Sequence, residues 1–226
     1  MLDRADILFC DNHVLAVNKP AGLATQPSRE HADNLEDRAK AWIKAEFAKP
    51  GNVFLHAVHR LDRPAAGIVV FARTDKALSR LNEAIRSHAC RKEYLAVLEG
   101  RPPEGTLIDW LAHDDFRARL VAEGDPAGAR CELSCSVVEE RNGLCLARIL
   151  LVTGRYHQIR AQMAARQCPI AGDGKYGAKL RLDDDTRIAL LHHRLTLPHP
   201  VRGEPQELTA PMPSQAPWDQ FKLIEN

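Results

Sequence analysis

The sequence has almost no net charge, no long apolar run and no cysteine pairs at metal-binding spacing. Each absence closes off a class of function. Lysine and arginine number 31 and aspartate and glutamate 30, a formal net charge of +1. Binding of a polyanion by bulk charge is thereby excluded, and any nucleic-acid contact requires basic groups gathered on one face. No apolar stretch approaches the length that crosses a bilayer. The N-terminus, Met1-Leu2-Asp3-Arg4, is charged and has no signal-peptide core. Six cysteines (10, 90, 131, 135, 145 and 168) contain no Cys-x-x-Cys pair. Cys131 and Cys135 are four apart in an expected strand and face one side, but no second ligand pair accompanies them. Free, mostly buried thiols in a reducing cytoplasm account for them better than zinc or disulfides. No internal repeat, low-complexity segment, cofactor motif or metal cluster is visible.

What remains is an ordinary globular composition over 226 residues, 45% hydrophobic and 27% charged. That length suffices for one large domain or two small ones. Ile7–Cys10 and Val14–Val17, joined by Asp11-Asn12-His13, read as a hairpin. The second strand ends in Asn18-Lys19-Pro20-Ala21-Gly22, a Pro/Gly turn. Asp33 or Asn34 caps a helix whose apolar stripe is Leu35, Ala39, Trp42, Ile43 and Phe47, with Lys49-Pro50-Gly51 as its stop. Thr74 caps a second helix with Ala77, Leu78, Leu81 and Ile85 on its buried face. Arg91–Leu98 alternates as a strand. Strand-like runs follow at Thr106–Leu111, Arg117–Val121, Ala129–Val138 and Leu144–Val152. Strands in runs with helices set apart give an α+β class with a largely antiparallel sheet. A last strand is expected at Leu190–Leu195, and the proline-rich tail reads as an extended wrap ending in a short helix around Trp218–Leu223.

Between the two helices lies His59-Arg60-Leu61-Asp62-Arg63-Pro64-Ala65-Ala66-Gly67, running into Ile68-Val69-Val70-Phe71-Ala72. Pro64 fixes its own φ and keeps Arg63 out of the helical region, and Gly67 permits a sharp bend. The apolar run behind them reads as a buried strand. Asp62 is therefore expected on a rigid loop against the core, where scaffolds carry functional groups. By spacing alone, Arg60-Leu61-Asp62-Arg63 reads as a surface ion-pair cluster. Further on, Thr153-Gly154-Arg155-Tyr156-His157-Gln158-Ile159-Arg160 turns from a strand into a helix through Ala161–Arg166, and Arg155 near its start suits a phosphate. Gly172-Asp173-Gly174-Lys175-Tyr176-Gly177 is glycine-rich but lacks a Gly-Lys-Ser/Thr ending, so it is not a P-loop. On its own it reads as a surface turn. His192 and His193 point to opposite faces of a strand and make a poor metal site.

Taken together these words resemble the RluA-type RNA pseudouridine synthases. The matching residues are His-Arg-Leu-Asp with its trailing Gly67, Lys19-Pro20-x-Gly22, Lys92-x-Tyr94, Thr-Gly-Arg-x-His-Gln-Ile-Arg, the Gly172–Gly177 loop and the Leu191-His192 pair. The resemblance implies a pseudouridine synthase catalytic fold: α+β, a largely antiparallel mixed sheet flanked by helices, with a central active-site cleft. It implies one catalytic domain over residues 1–226 without a preceding S4-type domain, acting as a monomer on ribosomal or transfer RNA, with no cofactor. The implied reaction breaks the C1′–N1 bond of a uridine, turns the uracil and joins C5 to C1′. Asp62 is implied as nucleophile or as base at the sugar. Arg160 is implied to keep it ionised, and Tyr94 to stack on the uracil and take the C5 proton. Arg60 would fill the space of the flipped base, while Arg63, Arg155 and Lys19 would hold phosphates and His192 would contact the substrate. Ala65-Ala66 stand where the family usually has a hydroxyl pair, so a locally altered loop is expected there. An RNA-binding protein with a retired active site is the alternative. An aspartate-nucleophile hydrolase is disfavoured because Asp62-Arg63-Pro64 lacks the Asp-x-Asp phosphatase pattern.

Overall fold

The computed structural model describes residues 2–114 and 116–223. In chain order its elements are β1 (Ile7–Cys10), β2 (Val14–Lys19), α1 (Leu35–Glu46), β3 (His56–Ala57), β4 (Ala66–Ala72) and α2 (Asp75–Arg86). These are followed by β5 (Arg91–Glu99), β6 (Gly105–Asp114), β7 (Arg117–Val121), β8 (Ala129–Arg141), β9 (Leu144–Leu151), α3 (Gln158–Ala165), β10 (Leu190–Pro198) and β11 (Pro205–Thr209). The class is α+β, as expected. No helix among the described residues is long and apolar enough to cross a membrane. None of the described residues forms a group of three or more His, Cys, Asp or Glu side chains able to hold a metal ion.

The chain forms two compact units. The first is Met1–Arg91 with His192–Pro211, the second Lys92–Leu191 with Met212–Asn226. In the first unit the strand order is β1-β2-β4-β10, with β3 on β4 and β11 on β10. Val14–Val17 and Ile68–Ala72 are completely or almost completely buried, so β2 and β4 are core strands on both faces. They run antiparallel with Lys19 opposite Gly67. Asn34 caps α1 by accepting from the Asp37 N–H, and Thr74 caps α2 by accepting from the Ala77 N–H. The buried face of α1 is Leu35, Ala39, Trp42 and Ile43, but Phe47 is 47% exposed. It stands at the C-cap, where the helical path has ended, with the Arg73 guanidinium 4.5 Å from its ring centroid. On α2 the buried residues are Ala77, Leu81 and Ala84, while Leu78 and Ile85 are only half-buried. The buried stripe is thus narrower than expected and carries an additional alanine.

In the second unit the order is β5-β9-β8-β6-β7, joined by antiparallel ladders. Leu111, Ala118, Cys131, Ala161 and Tyr176 form one cluster beneath α3. Cys131 and Cys135 are both buried and free, and burial raises both thiols to about 11, keeping them protonated. The tail differs from expectation in part. Residues 205–209 pair with β10 as β11, and the terminal helix is a single 3-10 turn, Trp218–Gln220.

Candidate active site

In the first unit, the geometry around Asp62 follows from the end of β2. Lys19 is the last residue of that strand and is wholly buried. Its Nζ donates to the carbonyls of Leu23 (2.7 Å), Pro20 (2.9 Å) and Arg63 (3.1 Å). Burial pushes this ammonium down to about 7. The charge of Asp62 opposes the drop and that of Arg63 adds to it. Lys19 is therefore not a phosphate ligand, contrary to expectation. With no surface left for RNA, it fastens the loop after Asp62. Thr25 fastens the other side, its hydroxyl donating to the Leu61 carbonyl at 3.0 Å and accepting from the Leu61 N–H at 3.1 Å. Gly22 N–H donates to the Arg63 carbonyl, and Ala65 N–H to the Asp62 carbonyl, closing the turn. Leu61 and Ala65 are buried on either side, Asp62 is half-buried, and Arg60 and Arg63 are exposed. A rigid loop against the core is what the sequence led us to expect. The lysine and threonine that make it rigid were not read as doing so.

Gly67 begins the buried run with φ +114°, and a Cβ there would meet the His192 backbone nitrogen at 2.6 Å. His192 is also wholly buried. Its Nδ1 lies 2.8 Å from the Ile68 carbonyl, and its ring packs edge-on to His59 at 5.4 Å. A direct substrate contact by His192 does not fit a side chain with no exposed surface. It locks β10 onto β4 behind the Asp62 turn. His59 accepts from the Val70 N–H at 3.3 Å and ties the start of the signature to the same strand.

In the second unit, Tyr94 lies on β5, 7% exposed, opposite Ile149 on β9. The connection from β9 into α3 is built by Gln158. Its Oε1 accepts from the Thr153 hydroxyl (2.8 Å) and the Arg155 N–H (3.1 Å), and its Nε2 donates to the Glu132 carbonyl. Arg155 is exposed, its Nε 3.3 Å from the Arg130 carbonyl. His157 precedes the helix with φ +50°, a left-handed conformation that costs a non-glycine residue energy and is held by its partners.

Those partners are informative. The Arg160 guanidinium forms a two-pronged pair with Asp173, Nε to Oδ2 at 2.7 Å and Nη2 to Oδ1 at 2.9 Å, with both side chains buried. Its Nη1 lies 2.7 Å from His157 Nε2. A guanidinium has no acceptor, so Nε2 must accept, and the proton of a neutral His157 sits on Nδ1. That proton points to the Tyr176 hydroxyl oxygen at 2.9 Å, which also accepts from the Ala118 N–H at 2.8 Å. Burial raises the Tyr176 phenol, with the Ala118 N–H opposing, so it stays protonated at neutral pH. The Gly172–Gly177 loop is therefore anchored rather than a surface turn, with Asp173 and Tyr176 as its buried contacts. Asp173 and His157 were missed as fixers of Arg160. The only sequence signal was that both lie inside the resembling words.

The family description RNA pseudouridylate synthase matches residues 13–165. The uncharacterized RNA pseudouridine synthase YhcT of Bacillus subtilis is 33% identical over 217 residues, covering 92% of this chain and 69% of that protein. Ribosomal large subunit pseudouridine synthase D of Xylella fastidiosa is 32% identical over 220 residues, covering 92% of this chain and 66% of that one. The chain thus spans about two thirds of the length of these curated relatives. Among solved structures, human RNA pseudouridylate synthase domain containing 4 aligns with a TM-score of 0.77 at 22% identity, over 92% of this chain and 89% of that one, a likeness of fold. The sequence words, the fold and these relatives agree, and the chain belongs to the RNA pseudouridylate synthase family, in its RluA-type branch.

Proposed function

We propose that this protein isomerises uridine to pseudouridine within ribosomal or transfer RNA, and that Asp62 is the group acting at the sugar. The observation that carries this reading is the Asp62 turn itself. A half-buried carboxylate is held by hydrogen bonds to the residues on either side of it, from Thr25 on one side and Lys19 on the other. Pre-organisation of that kind suits a group that must meet one atom of a bound nucleotide. In the proposed reaction Asp62 attacks C1′ or removes a proton from the sugar, the C1′–N1 bond breaks, and the freed uracil turns. C5 then bonds to C1′ as the Asp62–C1′ bond breaks, or as Asp62 returns the proton to the sugar, and the hydrogen on C5 leaves as a proton, with Tyr94 proposed to relay it, while N1 gains one. No electron is gained or lost overall and no group is transferred.

Arg160 is proposed as the cation that keeps Asp62 ionised, and its fixed position on Asp173 and His157 supports a role that depends on geometry. Arg60 and Arg63, both exposed beside Asp62, are proposed for the vacated base position and a phosphate, and Arg155 for a second phosphate. The relative named for the large ribosomal subunit supports ribosomal RNA as the first substrate to test. The test is to map pseudouridines in RNA from a strain deleted for the gene, and from the same strain carrying wild type or Asp62→Asn. Sites lost on deletion should return with wild type only. Return with Asp62→Asn would remove Asp62 from the chemistry. Unchanged maps throughout, with RNA still bound, would favour a retired enzyme.

A further inference from the structure

The second unit carries exposed aromatic and cationic side chains that the proposed reaction leaves unused. Phe116, just before β7, is 66% exposed, the most open large apolar side chain among the described residues. Lys175 Nζ stands 5.9 Å from its ring centroid. The guanidinium of Arg117 stands 5.1 Å from the Tyr176 ring centroid. Tyr176 packs edge-on to His157 at 5.6 Å, and Tyr156 stacks on His157 at 3.9 Å with only 18° between the ring planes. Tyr156 remains 41% exposed, with His113 tilted beside it at 5.8 Å. The ring beneath it is fixed by Arg160 and Tyr176, so Tyr156 is backed by a rigid, buried layer.

We infer that Phe116 and Tyr156 are stacking platforms for unpaired RNA bases flanking the target uridine, with Arg117 and Lys175 on the adjoining phosphates, next to the one proposed for Arg155. The inference rests on the reading of RNA as substrate. Two exposed aromatic rings in company with three exposed cations fit a partner that offers flat apolar faces and closely spaced negative charges. Single-stranded RNA offers both, whereas a duplex hides its base faces inside the stack. An acidic peptide would satisfy the cations but would leave the rings without a matching face. Stacking of this kind is tolerant of sequence, so it would help hold the strand around a site that other contacts select.

The test uses the full chain and two labelled probes, an unstructured RNA of about 12 nucleotides, within the usual footprint of such grooves, and an RNA duplex of the same length. Binding is read by fluorescence anisotropy for wild type, Phe116→Ala, Phe116→Trp and Tyr156→Ala. Each alanine variant should weaken single-strand binding about tenfold. Phe116→Trp should bind like wild type, and duplex binding should stay within about twofold. Alanine variants that bind the single strand as wild type does would overturn the inference. So would a wild type that prefers the duplex or binds neither probe. Should Tyr156→Ala not fold, Phe116→Ala decides alone, because that side chain is too exposed to support the core. Asp62→Asn, assayed in parallel for pseudouridine and for binding, separates the two claims. A failed platform leaves the isomerase reading intact, and an inactive wild type that still stacks RNA does the reverse.

Discussion

The ammonium of Lys19 has three N–H groups and meets three carbonyls, so it is matched donor for acceptor although it is buried. Burial still lowers its proton affinity to about 7, while the unfolded chain keeps that proton to about 10.4. Between about pH 7 and 10 the unfolded state thus holds more protons, and this group adds stability as pH rises. Below pH 7 both states are protonated and the cost of burying the charge stands in full. The difference in urea-unfolding free energy between wild type and Lys19→Met should therefore be flat below about pH 7 and climb above it. A flat difference up to pH 10 would mean that the lysine titrates normally. Asp173 poses the opposite problem. Asp173→Asn would leave the Arg160 guanidinium buried beside His157 without its carboxylate, and such losses cost about 3–5 kcal/mol. Denaturant titration should read that loss, and a change under about 1 kcal/mol would contradict the pairing. These roles were poorly legible in the sequence. Lys19-Pro20-Ala21-Gly22 reads as a turn, and turns suggest exposure. Nothing in the letters says that the side chain bends back into the molecule: two of its carbonyls belong to the turn itself, Pro20 and Leu23, and the third, Arg63, is brought to it only by the fold.

At the level of elements, β4 and β10 meet at Gly67, where the space of a Cβ is already taken by the His192 backbone. Gly67→Ala must push the strands apart or abandon φ +114°, and a loss on the order of 3 kcal/mol or more is expected. Thermal unfolding by circular dichroism checks it, and an unshifted midpoint would show that the contact yields cheaply. Local patterns gave most elements well. The β1–β2 hairpin, the Asn34 and Thr74 caps and the four strands between residues 105 and 151 depend on nearby residues and stand close to where periodicity put them. The departures have non-local causes. β11 exists because β10 offers it an edge, and Phe47 lies outside because α1 has already ended at Glu46. Gly67 was read correctly as special, but for a bend. Its close approach to a strand more than a hundred residues later is invisible in sequence.

For the whole molecule, a net charge of +1 means that RNA affinity must come from a few placed cations rather than an overall field. If Arg63, Arg155, Arg117 and Lys175 each hold one phosphate, log K should fall against log salt with a slope of about −3 on single-stranded RNA, and Arg63→Gln should reduce that slope by about 0.7. A slope near −6 would point to a far wider basic face. Family membership was legible because its words are long and spread across the chain, from Lys19 to Arg160 and beyond. The restraints that hold Asp62 and Arg160 were not, because they are made in space. The most direct measurement is nucleoside mass spectrometry of RNA from a deletion strain after incubation with purified protein. Wild type should produce pseudouridine, and Asp62→Asn, folded and RNA-binding, should produce none. Equal pseudouridine from both would contradict the account at its centre.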